Sequence, residues 1–316
     1  MSASVLREPV ATKTVQVRYL RQEEKLQSRA LYEEMFPEDE ESFVEAYYKI
    51  KGACNRILVL EEGGELRSML HLNPYRFWMR GEIVECSYFV AVATRPLYRH
   101  QGYMRCLLIK ALQDLYERRQ PFAFLMPAKE AIYTPFGFRK MENEDGEILG
   151  KASGEELSQG YDLFVWKDED YKRQHIPAEE WETTPMMQRI VYLPGLLGRI
   201  GAREPVEILL HITDQVLTEN AGTYRWSLGE RGSVLHKLGQ EAAFEGQAAW
   251  KEKGQTSLGE KTGREALEFT VDIGDLGSFL FGSQSISQLF PQVSAELKKK
   301  LEKIRIFEKI FLNEVV

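Results

Sequence analysis

The stretch VAVATRPLYRHQGYMR, Val90 to Arg105, runs from an apolar strand through a basic, glycine-containing turn into a helix. That order aims several backbone N–H groups and a helix N-terminus at one spot, where an anion, above all a pyrophosphate, is held by unpaired amides and the macrodipole. Gly102 lets the backbone approach such a ligand closely, and Arg99, His100 and Arg105 add side-chain donors. A strand splayed at Arg95-Pro96 would leave N–H groups near Val92 and Thr94 open to an extended ligand, because Pro96 has none to give a ladder. Taken alone, Gly102 fits a simple helix start and VAVAT a buried strand. An R-x-x-G-x-M string by itself has little specificity.

The elements that must position this segment read as follows. VQVRYL from Val15 is a short strand, followed by a polar helix with Leu26, Ala30, Leu31 and Met35 at helical spacing; FPEDEES breaks it and Ser42 to Ile50 forms a second helix. RILVLEE and GGELRSMLHLN make a hairpin turning at Gly63-Gly64, and RFWMR and EIVECSYFVAVAT add two strands to complete a four-strand antiparallel meander. From Gly102 a helix buries Met104, Leu107, Leu108, Ala111 and Leu115 on one face. PFAFLMP reads as a central strand covered on both sides, and AKEAIYTPFGFRKM as a helical turn, a break at Pro135 and a last strand. The fold class is mixed α/β, with a mixed sheet.

Residues 155 to 182 carry nine acidic against three basic side chains and contain LFVWKDEDYKRQ, a strand and turn. They read as a connection, ahead of a change of pattern at MMQRIVYLPGLL. From Glu204 come the strands VEILLHITD, TYRWSLGE and ALEFTVDIGDL, then SISQLF and an amphipathic helix near Ser294 to Phe307: a smaller α+β unit. The divisions are 1–145, a connecting segment 146–185, and 186–316.

The turn Arg99-His100-Gln101-Gly102-Tyr103-Met104 resembles the acetyl-CoA signature of the GCN5-related N-acetyltransferases (GNAT), Arg/Gln-x-x-Gly-x-Gly/Ala, departing from it at Met104. A bulky residue there resembles the enhanced-intracellular-survival (Eis) branch, as does AIYTPFGF, Ala131 to Phe138, beside that branch's Ile-Tyr-x-x-Phe-Gly-Tyr block. MMQRIVYLP, VEILLHITD, FTVDIGDL and the closing IFLNEVV resemble the sterol-carrier-like domain that ends Eis-type proteins. Family members usually carry a further acetyltransferase-like domain between the two, so the chain looks like a shortened variant with residues 146–185 in its place.

The resemblance implies that Val92, Ala93 and Thr94, the turn Arg99, His100, Gln101, Gly102, Tyr103, Met104 and Arg105, and a third contact at Ala128 and Lys129 bind acetyl-CoA as co-substrate. It implies Tyr133 as the general acid that protonates the leaving thiolate, against the plainer role of a buried aromatic. It implies further that the terminal carboxylate, on Val316, is the base that takes the proton of the attacking amine; a free α-carboxyl at about 3.3 to 3.7 is too acidic for this unless burial raises it. The expected function is N-acetyl transfer to a primary amine of an aminoglycoside-like drug, a polyamine or a lysine, by a homo-oligomer. The alternatives are a non-catalytic acyl-CoA or lipid binder and an aminoacyl transferase, the latter wanting a basic surface.

Composition narrows the rest. Against 48 Asp+Glu stand 41 Lys+Arg, for a net charge of −7 with no basic stripe, which argues against a nucleic-acid partner. Cys54, Cys86 and Cys106 are odd in number and lack a C-x-x-C, so neither a disulfide framework nor a zinc site is expected and a reducing cytoplasm fits. The N-terminus lacks the apolar core of a signal peptide, and no apolar run approaches about 20 residues, so no membrane span is expected. His71, His175, His211 and His236 are isolated and read as structural, so no metal is expected. Glu38 to Glu41 and KKKLEKIR read as solvated faces.

Overall fold

The computed structural model describes residues 14–141, 154–176, 185–239 and 268–312. β1 (Val15–Tyr19) leads through a 3-10 turn, Gln22–Ser28, into the helices α1 (Arg29–Met35) and α2 (Glu41–Ile50), and the strands β2 (Arg56–Glu62), β3 (Glu65–Met79) and β4 (Glu82–Thr94) follow. Leu26, expected on the buried helix face, is 66% exposed because it falls in the 3-10 turn, whose faces do not follow α-helical spacing. Gly63 and Gly64, both at positive φ, turn β2 into β3 as a two-residue hairpin requires.

ELRSMLHLN and RFWMR, expected as separate strands, form the single strand β3 through Pro74. The proline is tolerated because one flank of β3 is free there: β2 reaches only to Leu72, and the next partner on that side begins at Phe77. α3 (Tyr103–Glu117) buries Leu107, Leu108, Ala111, Leu112 and Leu115, and β5 (Phe122–Leu125) buries all four of its residues. α4 (Glu130–Tyr133), a 3-10 turn over Thr134–Phe136 and β6 (Arg139–Lys140) come next.

The segment read as a connection contributes α5 (Gly154–Ser158), β7 (Leu163–Val165) and α6 (Glu169–Gln174), and β7 pairs antiparallel with β3 at Phe77–Met79. β8 (Met187–Ile190), from the MMQRIVYLP block, lies between β5 and β6 and is antiparallel to both. The first sheet thus runs β1-β2-β3-β4-β5-β8-β6, with β7 on the far half of β3. After α7 (Leu193–Leu197) come β9 (Val206–Thr213), β10 (Gly222–Leu228), β11 (Ser233–Lys237) and β12 (Glu268–Asp272), a second sheet in the order β11-β10-β9-β12.

α8 (Ile273–Leu280), α9 (Ile286–Leu289) and α10 (Ala295–Leu301) follow. The helix expected to reach Phe307 stops at Leu301, since Ile304 and Phe307 turn inward and are buried. Beyond it, Ile310–Phe311 form β13, parallel to β7. Parallel pairs β4–β5, β7–β13 and β9–β12 among antiparallel neighbours make the expected mixed α/β fold. One apolar cluster joins both sheets, from Leu70 and Phe124 to Leu210, Trp226 and Phe281. A second, with Tyr32, Tyr47, Met69 and Ala93, sits between the first helices and the meander. Among the described residues, no helix is long and apolar enough to cross a membrane.

Candidate active site

β4 is paired with β5 only from Ser87 to Phe89 against Ala123 to Leu125. Beyond Phe89 the two strands part, and Val90 to Thr94 keep β3 as their one strand neighbour. The parting coincides with a bulge: Ala91 and Val92 together face Leu70, between the register pairs His71–Val90 and Met69–Ala93. Ala91 takes φ +51 there, and such an extra residue bends its strand and increases its twist. Thr94 and Ala93 are tied back to β3 by Ser68, whose Oγ lies 2.7 Å from the Ala93 carbonyl and 2.7 Å from Thr94 Oγ1. A wedge between two strands results, with Val92 and Thr94 half-buried at its wall.

At the mouth of the wedge Arg95-Pro96 opens a 3-10 turn, Pro96–Tyr98, and the chain reverses through His100 (φ +63) and Gly102 (φ +83) into α3. The first intrahelical bond runs from Cys106 N–H to the Gly102 carbonyl, so the amides of Tyr103, Met104 and Arg105 lie in the first turn, where a helix has no internal acceptors. A Cβ built on Gly102 would meet nothing within 4 Å. Within the protein itself, what asks for glycine here is the backbone conformation, φ +83. Arg99 Nε donates to the Thr94 carbonyl (3.2 Å), fastening the strand end to the turn, and Gln101 Nε2 donates to the Leu97 carbonyl (3.2 Å). The Arg105 guanidinium lies 5.8 Å from the Phe136 ring, so the turn and the Tyr133 segment meet.

On the other bank, the chain leaves β5 through exposed Ala128 and Lys129 and enters α4, whose last residue is Tyr133. The Tyr133 side chain is nearly buried and packs edge-on against Phe138, ring centroids 6.0 Å apart. Its hydroxyl has no hydrogen-bond partner among the described residues, and burial alone pushes its pKa up to about 12. It is a protonated donor throughout the neutral range. The segment after it is held by two arginines from β6 and β8. Arg139 NH1 donates to the carbonyls of Thr134 (3.1 Å) and Phe138 (3.0 Å), and Arg189 Nε to that of Phe136 (2.7 Å).

Across the sheet from α3, His71, the register partner of Val90, is wholly buried among Tyr32, Tyr47 and Tyr48. Tyr47 Oη lies 2.9 Å from His71 Nδ1, while Nε2 is buried without a partner. Burial, helped by Lys25, pushes the pKa of His71 down to about 3, so this histidine is neutral packing under the bulge, as its isolation in the sequence suggested. On the same face a cavity of about 170 Å³ is lined by Tyr75, Trp166, Tyr171, Glu85, Asp168 and Lys51, among others.

The positions expected to hold the cofactor thus fall on the unpaired end of β4 (Val92 to Thr94), on the turn into α3 (Arg99 to Arg105) and on the segment after β5 (Ala128 and Lys129), which continues into Tyr133; Arg105 against Phe136 is the contact that joins the turn to that last segment. Val316 lies outside the described residues. Among those residues no cluster of histidine, cysteine or carboxylate side chains suits a metal. Sequence reading missed the bulge at Ala91, which nothing in VAVAT marks. It also missed Arg189, for which an arginine inside the apolar run MMQRIVYLP was the available sign.

Residues 16–141 match the family model described as an acetyltransferase (GNAT) domain. No curated protein matches the chain significantly. Among solved structures, a conserved protein of unknown function and probable N-acyltransferase from Enterococcus faecalis V583 is similar at 15% identity and TM-score 0.68, covering 96% of this chain and all of that one. A GCN5-related N-acetyltransferase from Anabaena variabilis is similar at 16% identity and TM-score 0.66, over 94% and 99%. Eis1 from Mycobacterium abscessus is similar at 12% identity and TM-score 0.58, over 92% and 96%. At these identities the likeness is one of fold. The domain match falls on the wedge, the turn and Tyr133, and with it the chain carries a GNAT acetyltransferase domain and is an N-acetyltransferase.

Proposed function

We propose that the protein transfers the acetyl group of acetyl-CoA to a primary amine of an aminoglycoside-like compound, a polyamine or a lysine side chain. The observation that carries this reading is the wedge opened by the Ala91 bulge between β4 and β5, with the Gly102 turn at its mouth and Tyr133 on its bank. In it the pantetheine arm runs along Val92, Ala93 and Thr94, with Ala128 and Lys129 opposite. The pyrophosphate meets the amides of the turn, where Arg99, His100 and Arg105 supply charge and donors.

An alkylammonium of pKa about 10.4 is only about 0.04% neutral at pH 7, so the amine must lose a proton before or as it attacks the thioester carbon. The nitrogen–carbon bond forms, the carbon–sulfur bond breaks, and the thiolate leaves. A donor held near 12 facing a thiol of about 8.5 makes complete proton transfer uphill by about 5 kcal/mol. Tyr133 therefore acts by hydrogen-bonding the developing thiolate, and the proton shed by the amine completes the balance. We assign that proton's first acceptor to the terminal carboxylate of Val316, following the Eis resemblance. No step calls on a metal. The Eis-type organisation is supported by the fold likeness to Eis1; a sterol-carrier-like unit within 186–316, homo-oligomeric assembly and a cytoplasmic setting belong to the same reading and follow the sequence resemblance alone.

The test is thiol release from acetyl-CoA against a panel of aminoglycosides, polyamines and lysine peptides, with the N-acetyl product identified. Release that requires a primary amine is expected, and turnover with none of the three would overturn the acceptor class. Adding one residue after Val316 should slow the reaction strongly; an undiminished rate would remove the carboxylate from the route.

A further inference from the structure

The Tyr133 turn is gripped from a direction that acetyl transfer alone does not explain. Arg189, on β8, is wholly buried and spends its guanidinium on two bodies at once. Nε donates to the Phe136 carbonyl (2.7 Å), three residues after Tyr133, while NH2 reaches both carboxylate oxygens of Asp214 (2.8 and 2.7 Å), and NH1 donates to the Ile190 carbonyl. Asp214 follows directly on β9 of the second sheet. Its carboxylate also accepts from the amides of Val216 (3.0 Å) and Leu217 (2.9 Å) and from Asn220 Nδ2 (3.1 Å), so it is fixed before it meets the arginine.

Arg139 repeats the arrangement at the neighbouring strand. It donates to the Thr134 and Phe138 carbonyls and pairs with Asp272 (3.6 Å), the last residue of β12, and Asp275 (3.3 Å), in the first turn of α8. β9 and β12 are the parallel pair of the second sheet, in register through Thr213 and Asp272, and so present their C-terminal ends side by side. Gly137 completes the fit: at φ +82, a Cβ on it would come within 2.9 Å of Arg189 Nε, so the turn closes around the guanidinium. Between them the two arginines hold three successive alternate carbonyls of the segment after Tyr133, those of Thr134, Phe136 and Phe138.

A buried ion pair is not in itself stabilising, because desolvation offsets its attraction; it is retained where it fixes one geometry. Burial pulls the Arg189 pKa down from its ordinary value and Asp214 opposes that, yet a guanidinium keeps its charge. We propose that the second sheet serves the acetyl transfer as a positioning platform, with Arg189 and Arg139 as positioning residues that aim Tyr133 into the wedge. The inference rests on the reading of Tyr133 as the group that meets the leaving sulfur. A shift of the order of 1 Å in such a group costs on the order of a hundredfold in rate.

The test is a double-mutant cycle read as kcat and KM. The paired change Arg189→Met with Asp214→Asn removes both buried charges together, and Arg139→Gln, at a half-exposed site, tests the same grip should the buried pair fail to fold. Each is measured with Tyr133 present and with Tyr133→Phe. The platform reading expects kcat to fall about tenfold or more with the KM for acetyl-CoA within about twofold, and the loss to vanish in the Tyr133→Phe background. An undiminished kcat in the clamp variants, or an equal loss in both backgrounds, would overturn the platform while leaving Tyr133 in its role. Full turnover by Tyr133→Phe alone would overturn the reading of Tyr133, and the platform with it.

Discussion

Gly102→Val is the sharpest probe of the cofactor turn, because the structure separates two ways in which it could act. A Cβ at this position meets no atom within 4 Å, so crowding at the β-carbon contributes nothing. What remains is the backbone: φ is +83, and an L-residue held there costs roughly 1–2 kcal/mol, a β-branched one at the upper end. Gly102 is exposed and unpacked, so the free protein escapes this strain by letting the turn relax, and the strain returns when the amides must realign on the pyrophosphate. The expected loss of acetyl-CoA affinity is therefore about 5- to 30-fold. Gly102→Asn, which tolerates the left-handed region, should lose much less. Isothermal calorimetry on the folded variants measures both. A valine variant binding within about twofold of the natural protein would refute the argument that this turn, in this conformation, holds the cofactor.

Tyr133→Phe should keep acetyl-CoA binding and lower kcat about a hundredfold, since only the donor is removed; stopped-flow thiol release shows whether chemistry has slowed. With the Tyr133 pKa at about 12, the kcat–pH profile should rise with amine deprotonation and show no descending limb from this residue until the pH nears 12; a fall beginning around neutrality would contradict it. For His71 the folded pKa, about 3, lies below the unfolded value of about 6.5, so protons favour the unfolded chain: stability is full above about 6.5 and is lost as pH falls toward 3. Between about pH 8 and about pH 5 the natural protein should lose about 2 kcal/mol more than His71→Gln in denaturant unfolding, and parallel pH curves for the two would refute it.

What the sequence made legible was local. The apolar run into a glycine turn, the spacing of Leu107, Leu108, Ala111 and Leu115, and the bounded run PFAFLMP each carry their structure in adjacent residues, and each element stands where it was expected. The wedge itself was only half legible. Pro96 marks where the ladder ends, but the strands part earlier, at Phe89, under a bulge whose alanine has an ordinary strand neighbourhood in sequence. Pairings between distant segments were not legible at all. Nothing local in MMQRIVYLP says that it passes between β5 and β6, and Leu163–Val165 and Ile310–Phe311 are too short to betray that they pair with each other. Arg189 illustrates the cause: its meaning depends on Asp214 and Phe136, each tens of residues away.

The placement of β8 between β5 and β6 bears on how the chain is made. A nascent polypeptide released through residue 141 would hold β6 with no strand beside it and β5 with one raw edge, the kind of edge that recruits other chains. The gap between β5 and β6 is filled only once residue 190 has emerged, and β13 joins β7 later still, so the exposed edge persists during synthesis. A fragment cut at the limits of the domain match, 16–141, would thus be trapped in this unfinished, aggregation-prone state. The stretch that carries the family match is shorter than the stretch needed to complete its own sheet.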